Sequence, residues 1–438
     1  MNKVKGEQIC IPRLLRRQPV FEIVFCSLLL MAAFSSLYIL IASNTELQST
    51  YFFDGAKSGD MFMDFYNVLR YVSKGDPYRF EFPVFQPETA YPPFAYMLLY
   101  PFSRIVSAEF FHQSVYRTTQ FGLMALMGFL IISIVPMSLL YFAKKNGTAF
   151  VKSVTLLTFF TSGVFIFAVE RANLILLAAF FLGAFLLGYQ SEDKRIRELS
   201  YICLAIAAAL KVYPVIFGLL ILKDKRYFAA GRTVLYGAAC FFLPFLFYPE
   251  PRECLRLMIE NVGKNTERYL MQNPTFRFGF VPFHMVTDPT YSQVQLFVVL
   301  SYVFLAVALL ASLFAKKHWK AAMLLSVAVI ATPANSAYYC GVYLFAAILL
   351  FLNEKEHSLT DWIYLPLLVL ILNPLQFVDA NMLLHNGRIA NAALLALYVI
   401  LILDGLICGG RRIYDLSRQR KTKKPVESLD ATFVKEVC

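Results

Sequence analysis

The sequence predicts an all-α fold, a polytopic integral membrane protein with about ten to thirteen membrane helices. Three observations predict it. Of 438 residues, 58% are hydrophobic and only 16% are charged, too little charge to coat a soluble domain of this size. The apolar residues come in runs of roughly 18 or more, long enough to cross a bilayer core of about 30 Å. The runs lack the two-residue alternation of a membrane β-barrel, so their backbone polar groups must be satisfied within helices.

The first apolar run, 19–43, follows a basic start with Lys3, Lys5, Arg13, Arg16 and Arg17. It is too long for a signal-peptide core and reads as a retained span. A polar and aromatic stretch, 44–91, comes next. Further apolar runs lie near 92–104, 118–142, 150–168, 172–190, 199–222, 228–248, 293–315, 319–333, 336–352, 361–377 and 389–408. A second polar stretch spans 249–292. The chain divides into a basic N-terminus 1–18, a membrane domain 19–408 and a charged tail 409–438. That tail carries Arg411, Arg412, Arg418, Arg420, Lys421, Lys423 and Lys424.

The net charge is +12. The basic residues fall in short clusters between apolar runs and in the two tails, as topology signals do. They do not gather on a polar domain as a nucleic-acid site would, so no nucleic-acid partner is expected. The positive-inside bias puts both tails in the cytoplasm. It puts Lys144-Lys145, Lys194-Arg195-Arg197, Lys223-Lys225-Arg226 and Lys316-Lys317-Lys320 there as well. The stretches 44–91 and 249–292 then share the outer side. The eight cysteines lie mostly in or beside apolar runs without metal-type spacing and read as small buried hydrophobes. Cys438 is terminal, so it forms no prenylation box.

Two runs resist a simple crossing. Segment 199–222 has basic clusters on both sides and Lys211-Val212-Tyr213-Pro214 at its middle. A re-entrant pair of short helices turning there keeps both clusters inside, and such irregular backbone is tolerated where it lines a cavity. Segment 92–104 is short and opens on Pro92-Pro93. Either crossing or re-entry fits it.

Ionisable residues at membrane depth are costly and mark function by default. In 60–73, Met61, Phe65, Val68, Leu69 and Val72 form an apolar stripe at helical spacing, as in an interface helix. Asp60 and Asp64 are four apart and would share one face. Asp60, behind Ser58-Gly59, reads either as a helix N-cap or as a general base. Asp64 reads as a solvated or supporting residue. Arg171, in Glu170-Arg171-Ala172-Asn173, suits a phosphate, or else a neighbourly ion pair. Lys211 needs an anion or a watery cavity, unless it snorkels to an interface. Thr332-Pro333-Ala334-Asn335-Ser336-Ala337-Tyr338-Tyr339 and Asn273-Pro274-Thr275 are polar turns near the same mouth. Tyr66, Tyr91 and Tyr338 suit sugar rings, though tyrosines are more often structural. There is no P-loop, Rossmann, HExxH or GxSxG signature, which argues against nucleotide-driven pumps and common membrane proteases.

These landmarks resemble a known family. Asp60, then Gly75-Asp76-Pro77-Tyr78, then Tyr91-Pro92-Pro93-Phe94 opening an apolar helix, resembles the first outer loop of glycosyltransferase family 87. These are polyprenyl-phosphate-sugar-dependent transferases of the C superfamily, bacterial mannosyltransferases among them. Arg171-Ala172-Asn173-Leu174 is similar to its Gly-Gln-x-Asn-Leu element, and Leu210-Lys211-Val212-Tyr213-Pro214 to its Lys-x-x-Pro element. Asn273-Pro274-Thr275 and Thr332-Pro333-Ala334-Asn335-Ser336 resemble its Asn-x-Ser and Ser-Pro-x-Ser elements. The resemblance covers about residues 20–405. Tyr338-Tyr339 stand where the family often has a His pair, and Glu170-Arg171 replace Gly-Gln.

The resemblance implies an inverting transfer of a hexose or pentose, mannose favoured, from a polyprenyl-phosphate sugar to a glycolipid or glycan acceptor. Asp60 maps onto the family's acid. The substrate-binding set is Lys211, Arg171, Asn173, Asp64, Tyr91, Tyr338, Tyr339 and Asn273, with Lys211 and Arg171 on the donor phosphate. No cofactor is expected, and no ligand cluster argues for a divalent metal. The expected setting is the lipid bilayer of a bacterial inner membrane with the site outside. An endoplasmic-reticulum membrane would keep the same topology. A transporter or flippase for a lipid-linked or anionic substrate is the alternative, because broken helices and buried charge also mark transport sites. A non-catalytic scaffold is the second rival.

Overall fold

The computed structural model describes residues 15–42, 61–73, 75–79, 89–105, 119–267, 290–332, 337–373 and 386–422. Asp60, Asn273 and 333–336 lie outside the described residues, as do both extreme termini. Among the described residues every regular element is helical, and the one isolated β-bridge joins Arg17 to Glu356. The helices are α1 Gln18–Ala42, α2 Met63–Ser73, α3 Pro93–Ile105, α4 Gln120–Lys144, α5 Ala149–Phe160, α6 Gly163–Glu170, α7 Ile175–Gly188 and α8 Lys194–Leu210. They continue as α9 Leu219–Lys223, α10 Tyr227–Phe242, α11 Pro251–Glu267, α12 Tyr291–Phe314, α13 His318–Ala331, α14 Leu344–Leu352, α15 Tyr364–Leu372 and α16 Asn386–Thr422. Short 3₁₀ turns at Tyr213–Gly218, Leu243–Phe247, Tyr338–Tyr343 and Leu359–Ile363 lead into or out of these helices.

Long helices surround short ones. Five stretches are long and apolar enough to cross a membrane: the first part of α1, then α4, α10 with its 3₁₀ extension, α12 and the apolar part of α16. The bent pair α5 and α6, kinked by 61°, would make a sixth. Further apolar helices of 10–17 residues run beside them, α7, α13 and the 3₁₀-led α14 and α15 included. The long helices turn broad apolar faces outward, such as Met124, Met127, Ile131 and Leu139 on α4. Past its first turn helix α13 is apolar nearly all round, and 12 of its 14 residues are buried. A helix with no polar face belongs in the centre, shielded from water and lipid alike. This is an integral membrane protein with a protein-lined middle.

Small residues let two spans close up. A Cβ on Gly405 of α16 would lie 2.5 Å from the Ala311 carbonyl oxygen of α12, and one on Gly409 would lie 2.9 Å from the Phe314 ring. The four-residue spacing of these glycines is the small-xxx-small pattern of close helix pairs in lipid.

Contacts between turns define one basic end of the bundle. Lys145 pairs with Glu22 of α1 at 2.7 Å, and the Asn146 N–H donates to Asn353 Oδ1 at 3.0 Å. Lys317 faces Glu354 at 3.7 Å, and Lys320 binds Asp404 at 2.8 Å. The Arg226 guanidinium donates to the Tyr189 carbonyl at 2.7 Å. The Lys145–Glu22 pair is enclosed, its side chains 0% and 7% exposed, and Thr155 donates to the same carboxylate at 2.9 Å. Lys145→Met is therefore expected to destabilise the protein by about 3–5 kcal/mol by stranding a buried charge. Thermal unfolding in lipid nanodiscs reads this, and an unchanged midpoint would mean that water reaches Glu22.

Segment 199–222 turns back on itself. Helix α8 rises for 17 residues, about 25 Å. Lys211 then takes an extended backbone (φ −144°, ψ 120°), and the 3₁₀ turn and α9 return. Arg226 behind α9 reaches Tyr189 ahead of α8, so both ends of the hairpin sit at the basic end. Segment 92–104 forms α3, which at 13 residues is shorter than a span and packs on α2, α4, α8 and α10.

Candidate active site

At the tip of the α8 hairpin, away from the basic end, five segments converge. Helix α2 brings Asp64, and the α6–α7 turn brings Arg171 and Asn173. Tyr91 precedes α3, Lys211 follows α8, and Tyr339 sits in the 3₁₀ turn before α14.

Helix α2 lies on its apolar stripe. Phe65 stacks on Phe129 at 4.9 Å, and the Tyr66 hydroxyl donates to the Gly122 carbonyl at 3.2 Å. The helix starts at Met63, three residues later than the spacing predicts. Phe62 adopts a left-handed backbone, φ 61°, and donates its N–H to the Glu170 carbonyl at 2.7 Å. The described helix therefore carries Asp64 alone of the two acids, and the shared face expected for Asp60 lies outside the described residues. A bulky residue held at positive φ is strained, and the bond to Glu170 is what holds it.

The α6–α7 turn is also left-handed at a non-glycine residue, Ala172, φ 45°. The turn aims two donors at Asp64. Arg171 gives Asp64 Oδ1 bonds from Nη2 at 2.6 Å and Nε at 3.2 Å. Asn173, fully buried, gives Asp64 Oδ2 a bond from Nδ2 at 2.6 Å. The Asn173 side-chain oxygen Oδ1 accepts the Ile175 N–H at 2.9 Å and so caps α7. An amide is needed here because one end must donate and the other accept. Next to the turn, a Cβ on Gly341 would lie 2.5 Å from Val164 Cγ1, so glycine allows the 338–343 turn to press on α6.

Tyr91 is held by its own backbone. Its carbonyl accepts the Tyr78 hydroxyl at 2.8 Å, and its N–H donates to the Tyr96 hydroxyl at 3.2 Å. Burial raises the Tyr91 phenol above its ordinary range and the Asp64 carboxylate adds to this, so it stays neutral. The Lys211 ammonium donates to this phenol at 3.0 Å and lies 4.2 Å from the ring centre. Among the described residues Lys211 has no carboxylate partner. Its other two N–H groups meet no acceptor among the described residues, and it is only partly buried. It does not snorkel to the basic end.

The predicted residues thus divide. Lys211, Arg171, Asn173, Asp64, Tyr91 and Tyr339 come together. Tyr339 stacks with Phe167 at 5.8 Å and feels the charge of Asp64 and Arg171. Tyr338 is buried in the packing, its hydroxyl donating to the Leu372 carbonyl at 3.0 Å. The Arg171 fork grips a carboxylate 107 residues away. Asp64 is no solvated bystander but the acceptor that ties α2 to the α6–α7 turn. Cys340 and Tyr213 stand near Lys211 and were not expected there. The only signal for Cys340 was its place beside Tyr338-Tyr339. Among the described residues, no three His, Cys, Asp or Glu side chains converge as a metal site would require.

The two polar stretches meet beside this cluster. Asn261 of α11 donates to the Thr89 and Tyr78 carbonyls at 3.0 and 3.3 Å, and Arg79 pairs with Glu250.

The sequence model of glycosyltransferase family 87 matches residues 89–334, more than half of the chain. The chain belongs to glycosyltransferase family 87. It is a membrane glycosyltransferase. The match includes Tyr91, Arg171, Asn173 and Lys211, while Asp60, Asp64, Tyr338 and Tyr339 lie outside it. Among curated proteins and among solved structures nothing matches.

Proposed function

We propose that this family 87 glycosyltransferase moves a hexose or pentose, mannose favoured, from a polyprenyl-phosphate sugar to a lipid-linked or glycan acceptor. The transfer takes place at the outer face of a bacterial inner membrane, with inversion. The observation that carries the reading is Lys211, a cation at a helix break with no carboxylate partner among the described residues, which engage only one of its three N–H groups. An anion is the ligand such a group requires at membrane depth.

In this scheme the donor enters sideways from the bilayer and sets its phosphate against Lys211. The acceptor hydroxyl approaches from water. Asp60 takes its proton as the oxygen bonds to the anomeric carbon. The bond from that carbon to the phosphate oxygen breaks, and polyprenyl phosphate leaves with one more negative charge, which Lys211 offsets. Arg171 and Asn173 hold Asp64 and fix the wall of the site. Tyr91 and Tyr339 flank the sugar. The scheme uses no cofactor. The basic end faces the cytoplasm, following the positive-inside bias.

The test is transfer in lipid nanodiscs from radiolabelled polyprenyl-phosphate mannose, glucose or arabinose to a membrane glycolipid extract. Wild type is expected to use one donor and Asp60→Asn to lose about a hundredfold in rate, the scale of a lost general base. Equal transfer by both proteins would remove Asp60 from the mechanism.

A further inference from the structure

A cavity lies at the basic end, outside the site described above. It is an open crevice of about 450 Å³ between α8, the turn after α9 and the first residues of α10. Arg197, Lys225, Arg226 and Arg232 line it. Arg232 is neutralised by a two-bond pair with Glu198, at 2.8 and 2.9 Å. The other three have no such partner among the described residues. Arg197 bonds the Ser191 carbonyl at 3.0 Å. Arg226 bonds the Tyr189 carbonyl at 2.7 Å and the Tyr201 hydroxyl at 3.4 Å. Among the described residues, none of Arg197, Lys225 and Arg226 has a carboxylate within ion-pair distance. Nearby Asp224 accepts from Gln190 at 3.3 Å.

Three such cations around one cavity call for an anion. The first turn of α10 adds N–H groups that no side chain caps. The rim shows where that anion comes from. Phe228, 91% exposed, and Tyr227 stand at the mouth, at the start of a membrane-crossing helix. Beyond them Val234 and Leu235 present an exposed apolar strip along α10. Charge in a crevice, aromatics at its edge and apolar surface below match a phospholipid from headgroup to acyl chain.

We infer that this crevice binds the phosphate headgroup of an anionic phospholipid from the leaflet at the basic end, with the acyl chains lying along α10. The site is independent of the glycosyl-transfer reading. It anchors the α8 hairpin, whose far tip carries Lys211.

The experiment is native mass spectrometry of the purified full chain titrated with phosphatidylglycerol or phosphatidylcholine. Wild type is expected to hold one phosphatidylglycerol about tenfold or more in preference to phosphatidylcholine. The pair Arg197→Gln/Lys225→Gln is expected to lose the preference. The pair Lys194→Gln/Arg195→Gln, which removes equal charge outside the crevice, is expected to keep it. Lys225→Gly suits the left-handed backbone at that position (φ 58°) and will fold, so it serves as the second crevice variant and is expected to weaken the preference. Equal loss in both double variants would reduce the effect to diffuse charge and overturn the site. An unchanged preference in the crevice pair would overturn it too. Displacement of the lipid by millimolar inorganic phosphate would make it a free-anion site and overturn the lipid assignment, whereas retention supports it.

Discussion

Replacing Lys211 with methionine is expected to lower transfer efficiency about a thousandfold, the upper range for removing one charge-stabilising donor from a preorganised site. Methionine keeps the length and apolar stem of lysine, so α8 and the 3₁₀ turn after it retain their packing. What disappears is the ammonium, and with it the bond to Tyr91 and its other two N–H donors. The donor sugar is a phosphodiester with one negative charge. The departing polyprenyl phosphate is a monoester, which near neutral pH carries between one and two. Lys211 therefore meets more charge in the transition state than in the bound donor. Its loss should depress kcat as well as raise KM, because only interactions that strengthen toward the transition state speed the chemical step. Steady-state kinetics against the polyprenyl-phosphate sugar separates the two effects. A rise in KM with kcat intact would confine Lys211 to ground-state binding. Lys211→Arg keeps the charge and should recover part of kcat, limited by the bulk of the planar fork.

The fold class and part of this site can be read in the sequence for one reason: membranes penalise charge. Lys211 stands out because Leu, Ala, Val and Ile surround it. The basic clusters on both sides of 199–222 expose the hairpin because a single crossing would leave one of them on the wrong side. Arg171 and Asn173 stand out between two apolar runs for the same reason. Asp64 does not, because its partners lie 107 and 109 residues away and no local pattern signals so distant a pair. Its position four residues after Asp60 points instead to a shared helix face. The helix instead begins after the left-handed backbone of Phe62, where neither glycine nor asparagine announces a turn. The Arg171–Asp64 pair is hidden in the same way, since a cation's ligand type can be read from its surroundings but its partner cannot. Tyr338 and Tyr339 are adjacent in sequence, yet one hydroxyl bonds the Leu372 carbonyl in the packing and the other ring stacks on Phe167, a difference set by the 3₁₀ turn that carries them.

Asp64→Asn is expected to lower kcat by about a hundredfold or more, the scale of misplacing reacting groups by about 1 Å. The cause is hydrogen-bond arithmetic. The Asp64 carboxylate accepts three bonds, two at Oδ1 from Arg171 and one at Oδ2 from Asn173. An amide offers a single oxygen. If that oxygen faces Arg171, its NH₂ meets the Asn173 NH₂, and two donors confront each other across a gap of 2.6 Å in the wild type. Rotating Asn173 removes this clash but turns its NH₂ toward the Ile175 N–H and uncaps α7. Neither arrangement satisfies every group, so α2 should part from the α6–α7 turn. The double variant Asp64→Asn/Asn173→Asp resolves the conflict. The amide now on α2 gives its oxygen to Arg171 and its NH₂ to the carboxylate now in the α6–α7 turn, whose other oxygen caps Ile175. Substantial recovery of kcat in the double variant over Asp64→Asn alone is therefore expected if Asp64 positions the site. If Asp64 were itself the general base, moving the carboxylate to position 173 would restore the bonds but not the rate. The same transfer assay on the two single variants and the double variant decides between these roles, and a double variant as slow as Asp64→Asn would shift the base from Asp60 to Asp64.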